Sequence, residues 1–383
     1  MKISRNSIVL LRAVCLLFLF ELISCSGKST NNRESAPKVF KRTSEGLSLN
    51  KATLEQSNNQ GQPLWKIEVK KANYSLDHKK VIVKDIKGNF FQDGRRVLEI
   101  AAKDGEVYKN GEEIYIRNSV VAVDPRNNIR IDADEMKWQP KADLLTITKR
   151  FNAIHLGFQV SADQAIYRSR HQELELTGNI LAFSKKPDIE LKTEHLKWLI
   201  SQHKMIGDKP LEFIRYQGTS ITDQLNSKQM EIDTTNNTIL SKDTLNFKST
   251  HPTTQITGNN FLWNYRERHF QSQQTAQLYD YSQQVTFTAN GTDYDQNKGL
   301  AHFKGGVHGL SSRNQTQIYS QQAIWYIKNK KVDATGNIIY KQNNPKMQLT
   351  GDRAVGTLQT NQIVVTSQNG NKVVTQIYIK HNP

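Results

Sequence analysis

Cysteine is nearly absent from this 383-residue chain. The only two, Cys15 and Cys25, lie close to the N-terminus, so no disulfide framework supports the body. Apolar residues make up 37%, against about 45–50% in an ordinary globular domain. That shortfall excludes a large spherical core and fits an elongated β structure with a thin one. No amphipathic helix is legible in the body. The ten histidines include no HExxH or other metal spacing, and there is no GxSxG elbow and no nucleotide-binding loop. No catalytic residue, metal ligand or cofactor is therefore assigned, and His155 and His195 read as surface or packing residues. Nucleic acid is not an expected partner, because the basic residues are scattered and no recognition helix or compact aromatic-basic module occurs.

What is present begins at the N-terminus. Lys2 and Arg5 precede an apolar run from Ile8 to Phe20, and Leu22-Ile23-Ser24-Cys25 follows. That quartet resembles the bacterial lipobox, which makes Cys25 the expected lipid-attachment residue. Arg12 and Glu21 interrupt the run. From Ile8 to Ile23 it has 16 residues, short of the roughly 20 a membrane span requires. An uncleaved membrane anchor is the alternative. Both readings export the body and tether it to a membrane. Residues 1–25 are thus read as a signal peptide or anchor. Residues 26–62, rich in Ser, Asn, Gln, Lys and Gly, are read as a flexible tether. Residues 63–383 form the folded body.

The body repeats. Val69, Ala102, Ala133, Ala162, Thr193, Ser227, Gly258, Ala289, Ser320 and Gly351 follow one another at intervals of 29–34 residues. Two positions before them stand Ile67, Ile100, Ile131, Val160, Leu191, Leu225, Ile256, Phe287, Ile318 and Leu349. Five positions after them come Tyr74, Val107, Trp138, Tyr167, Trp198, Ile232, Trp263, Tyr294, Trp325 and Gly356. Such self-similarity marks a repeat architecture. Within a unit the period is two: Ile129, Ile131 and Ala133 share one strand face, but Met136 and Trp138 have the opposite parity. A bend or bulge at the small reference residue is needed to return both sets to one side. About ten units of ~31 residues give an all-β fold, read as one elongated domain of antiparallel hairpins.

The stretch from Ala162 to Tyr167, leading to Leu174-Glu-Leu-Thr-Gly-Asn179, resembles the repeat of OstA-like lipopolysaccharide-transport proteins. Asp333-Ala-Thr-Gly-Asn337 echoes its second half. Pro63-Leu64-Trp65-Lys66-Ile67, then Ala72-Asn73-Tyr74 and Gly88 to Gly94, are similar to the LptC family. The resemblance runs from about residue 63 to 383. It implies an open antiparallel β-jelly roll, a V-shaped trough with an apolar interior. The implied role is to accept lipopolysaccharide from an inner-membrane ABC transporter complex and pass it towards the outer membrane. A further β-jelly-roll bridge protein or an outer-membrane translocon would receive it. The implied place is the periplasm of a Gram-negative-type bacterium, tethered to a membrane, most simply the inner one. The body is about twice as long as in the commonest short members of the family.

On that reading Ile67, Ile100, Ile131, Trp138, Val160, Tyr167, Leu191, Trp198, Ile256, Trp263, Phe287, Tyr294, Ile318 and Trp325 point inward and contact lipid. The same alternation would serve plain core packing in a closed sandwich. The formal charge of +16 suits anionic headgroups or membrane proximity. At the C-terminus Val373, Val374, Ile377 and Ile379 form an apolar strand whose Lys380 and Pro383 come too late to blunt it. It is read as an edge for strand addition by a partner. The other readings are a parallel β-helix enzyme acting on polysaccharide, a structural cell-envelope lipoprotein and an outer-membrane barrel.

Overall fold

The computed structural model describes residues 41–43, 46–358, 360, 362–367 and 372–377. Cys25 and Ile379 lie outside them. Contacts divide the chain into residues 1–40 and 41–383; everything below concerns the second unit. Its described residues form one 30-stranded sheet. The pairings are antiparallel from Lys41–Thr43 on Gly46–Ser57 to Lys346–Thr357 on Val374–Ile377. Antiparallel ladders exclude the parallel β-helix reading. Among the described residues the only helical pieces are three-residue 3₁₀ turns, Lys109–Gly111, Pro140–Ala142 and Ile200–Gln202.

The break in parity has a visible cause. In strand Ile129–Gln139, Ile129, Ile131 and Ala133 are buried, and so are Met136 and Trp138. Opposite them the register jumps between Arg117 and Val120, so that two residues face one. Those two, Asn118 and Ser119, both have positive φ, at 65° and 58°. The Thr-Gly-Asn motif does the same elsewhere. Gly178 and Asn179 stand in the jump between Thr177 and Ile180, and Gly336 and Asn337 in the jump between Thr335 and Ile338. Two left-handed residues facing one let the bulged strand keep its inward parity, as Ile116 and Val120 do, while the partner strand changes its own between Ala133 and Met136. They also explain the residue types, since Gly and Asn tolerate that backbone best. The small residues Ala133, Thr193, Ala289, Ser320 and Gly351 sit beside these jumps. At Ala162, Ser227 and Gly258 the strand ends altogether and a second begins within three residues.

The bends line up and fold the sheet lengthwise into two leaves. The first leaf ends in turns at 92–95, 124–129, 155–158, 185–188, 217–220, 250–253, 280–285 and 311–316. The second ends in turns at 108–113, 139–144, 168–173, 199–204, 233–238, 264–269, 295–300 and 326–331. Strand Asp188–Leu199 shows the division: its first half pairs with Leu211–Gln217 and its second with Lys204–Gly207. The apolar faces meet. Phe90 of the first leaf stacks on Trp138 of the second at 5.0 Å, Phe247 meets Trp263 at 5.1 Å, and Phe287 meets Trp325 at 5.0 Å.

The expected tether of residues 26–62 requires correction. Gly46–Ser57 is a twelve-residue strand paired with Pro63–Tyr74, and Leu49, Ala52 and Leu54 pack against the core. Its period-two apolar residues are interleaved with polar ones, so composition alone hid a strand.

The bend yields a test. Gly336 has φ 82°, and a Cβ there would lie 2.6 Å from the Gln321 side chain. Gly336→Val should lower stability by roughly 1–2 kcal/mol from the left-handed backbone alone, read as a lower urea midpoint at unchanged m-value. Asn337→Gly should move it by no more than a few tenths of a kcal/mol.

Candidate functional site

Thirteen of the fourteen inward positions expected to meet lipid are buried: Ile67, Ile100, Ile131, Trp138, Val160, Tyr167, Leu191, Trp198, Ile256, Trp263, Phe287, Tyr294 and Trp325. Ile318 is half-buried. They lie on both leaves and fill the seam between them with the chain's own side chains. Trp138, Trp263 and Trp325 are fully enclosed, and their indole N–H groups find no partner among the described residues. Trp65 differs, for its N–H donates to Gln56 Oε1 at 2.9 Å and to the Gly111 carbonyl at 3.1 Å.

Polar groups join the two rows of turns along the rim of the seam. Gln92 donates to Asp143 at 3.1 Å, and Asn127 to Gln172 at 2.9 Å. Arg126 reaches Asp124 at 2.6 Å on its own leaf and the Ser169 carbonyl at 3.0 Å on the other. Tyr167 donates to the same Asp124 from the second leaf. Burial, and then the Asp124 carboxylate, raise the Tyr167 phenol far above its ordinary value. Tyr265, also at the rim, is pushed up to about 12 by burial and by Asp233. Both phenols stay neutral at physiological pH. Sequence reasoning missed these rim residues because it treated the turns as solvent. One signal was available: Asp124 and Asp223 stand on the inward parity of their strands, beside Ala122 and Leu225, where a carboxylate needs a partner.

Near the C-terminal end the leaves stand apart. A narrow cleft of about 70 Å³ opens there, lined by Val285, Phe287, Leu310, Ile318 and Tyr340 of the first leaf. Val332, Ala354, Leu358 and Ile363 of the second leaf face them. The basic excess concentrates here too: residues 301–383 contain ten Lys and Arg against only Asp333 and Asp352. Arg313, Lys328, Lys330, Lys331 and Lys341 are exposed on the turns and strands around the cleft end. The scattering inferred from sequence is thus corrected for this segment. An apolar slot within a basic collar suits an anionic amphiphile.

Val374 and Ile377 lie in strand Val374–Ile377, which pairs with Met347–Thr350. Val373, Val374 and Ile377 are exposed, at 41%, 51% and 64%. Among the described residues no group of His, Cys, Asp and Glu is placed to hold a metal ion, and no helix is long and apolar enough to cross a membrane.

Residues 9–151 match the family model described as lipopolysaccharide-assembly, LptC-related. That stretch, which contains Pro63–Ile67 and Ala72–Tyr74, is thus similar to the LptC-related family. The match ends at 151, and the strands beyond it continue the same two-leaf ladder. No curated protein matches the chain significantly.

The unpartnered indoles give a second test. Trp263→Ala should cost about 3–5 kcal/mol, the range for emptying a packed aromatic site. Trp263→Phe should cost much less, because stacking on Phe270 is retained and an unsatisfied N–H is removed with the indole. Trp65→Phe should exceed Trp263→Phe, since it leaves the Gly111 carbonyl without its donor. Urea unfolding of the three variants checks the order.

Proposed function

We propose that this protein carries lipopolysaccharide across the periplasm, with the seam between its leaves as the route. It is anchored through Cys25, or through an uncleaved N-terminal segment, most simply in the inner membrane. It takes its cargo from an inner-membrane ABC transporter complex and hands it to a further β-jelly-roll protein or an outer-membrane translocon. The observation that carries this reading is the apolar cleft within a basic collar, in a chain whose residues 9–151 match the LptC-related family model. Exposing an acyl chain of about a dozen carbons to water costs on the order of 9 kcal/mol, at ~0.8 kcal/mol per methylene. A carrier must therefore offer continuous apolar contact. Ile256, Phe287 and Ile318 are steps on such a track. Basic residues at the open end would meet the phosphates.

The exposed strand Val374–Ile377 is the proposed junction with the next protein of the bridge. Its far edge has no partner strand among the described residues, and an extended segment of the neighbour adds there by main-chain hydrogen bonds.

Two experiments test this. A photoreactive amino acid at Ile318, in the cleft, should crosslink to lipopolysaccharide in cells, while one at the outward Lys197 should not. Equal yields from both would remove the seam as the route. Separately, deleting residues 373–383, or making Ile377→Pro, should abolish copurification of the bridge partner and leave the Ile318 crosslink intact. Copurification at wild-type yield would place the junction elsewhere.

A further inference from the structure

The rim closes the seam with charges where a permanent sandwich would use apolar contacts. Asp223, fully buried on strand Ser220–Ser227, is held by Arg215 of its own leaf at 3.2 Å. Arg268, from a turn of the opposite leaf, reaches it at 2.9 Å and also donates to the His251 carbonyl at 2.8 Å. Gln296, again from the opposite leaf, donates to Asp223 at 3.3 Å. The Arg126 crossing repeats this arrangement farther towards the N-terminus.

Three features distinguish this closure from an ordinary core. First, a buried ion pair contributes little net stability, because the loss of hydration nearly cancels the attraction; parting the pair returns that hydration. Second, the closed state leaves buried polar atoms unmatched: Arg215 Nε, Arg268 Nε, Gln296 Oε1, Gln283 Oε1 and the indoles of Trp138, Trp263 and Trp325. Each gains a partner once water or a polar ligand group enters. Third, the strand ladders run within each leaf and along the shared bend, and none crosses the rim among the described residues. The leaves therefore part without breaking a strand pairing. Phe287 links the two regions, for it lines the C-terminal cleft and also packs on Trp325.

We propose that the rim is a reversible latch, centred on Arg268–Asp223, which lets the two leaves hinge apart about the bend while their ladders stay intact. The filled seam thereby becomes an open groove, beginning at the C-terminal cleft. The cargo of that groove rests on the transport reading above; the opening itself does not.

Hydrogen exchange on the full chain, without lipid, tests the opening. Tryptophan indole and backbone N–H groups are followed by ¹⁵N nuclear magnetic resonance and corrected for intrinsic rates. The Nε1–H of Trp263 and Trp325 should exchange at least tenfold faster than the amides of strands Phe261–Asn264 and Thr316–Tyr326. Leaf separation exposes the indoles but spares the ladders. Arg268→Leu should widen that ratio severalfold, whereas Arg353→Leu, which removes an ion pair to Asp333 outside the seam, should not. A common rate for indoles and ladder amides in the unmodified protein overturns the proposal, even if Arg268→Leu fails to fold. Equal widening by Arg353→Leu overturns it as well. A preserved ratio with no lipopolysaccharide crosslink at Ile318 would remove the transport reading and leave the latch. A lost ratio with the crosslink present would do the reverse.

Discussion

A β-strand presents only alternate side chains to one side, so a strand that crosses a fold line would turn its apolar residues outward halfway along. The two-against-one bulges at Asn118-Ser119, Gly178-Asn179 and Gly336-Asn337 remove that conflict by inserting one extra residue at the fold line. Both halves of each strand then face inward. Everything else in the body follows from this. Because the bends are aligned, the sheet doubles over along its length, and tryptophans of one leaf meet phenylalanines of the other.

Doubling the sheet also brings two rows of turns together. Turns carry polar residues because their backbone groups need partners, and here the rows face each other across a narrow seam. The polar residues therefore became the closure. Asp124, Asp223, Arg126 and Arg268 sit where a water-exposed hairpin would otherwise place solvent contacts. The interior consequently has an apolar filling and a charged lid, a combination that is cheap to open at the edge and costly to leave empty.

The two ends of the body differ. At the N-terminal end Trp65 reaches across to Gly111, and strand Gly46–Ser57 pairs with Pro63–Tyr74 within the region that matches the family model. At the C-terminal end the leaves separate around Phe287 and Ile318, amid an excess of basic residues.

The sequence by itself determined the all-β class, the inward parity and the location of the bends. The ~31-residue period, the small residues at Ala133 or Thr193 and the Thr-Gly-Asn motif are local consequences of backbone geometry, and local constraints are written residue by residue. It also placed Trp138, Trp263 and Trp325 on the inner face. It did not reveal the strand Gly46–Ser57, whose apolar residues are too sparse to outweigh a polar composition. Nor did it show that the trough is filled, that Arg268 pairs with Asp223, or that the cleft lies at Phe287 and Ile318. Those depend on which residues meet across the seam, and partners such as Arg126 and Ser169 are 43 residues apart. Only the folding of one leaf onto the other sets that offset, because it is the shear between two whole sheets and belongs to no single repeat.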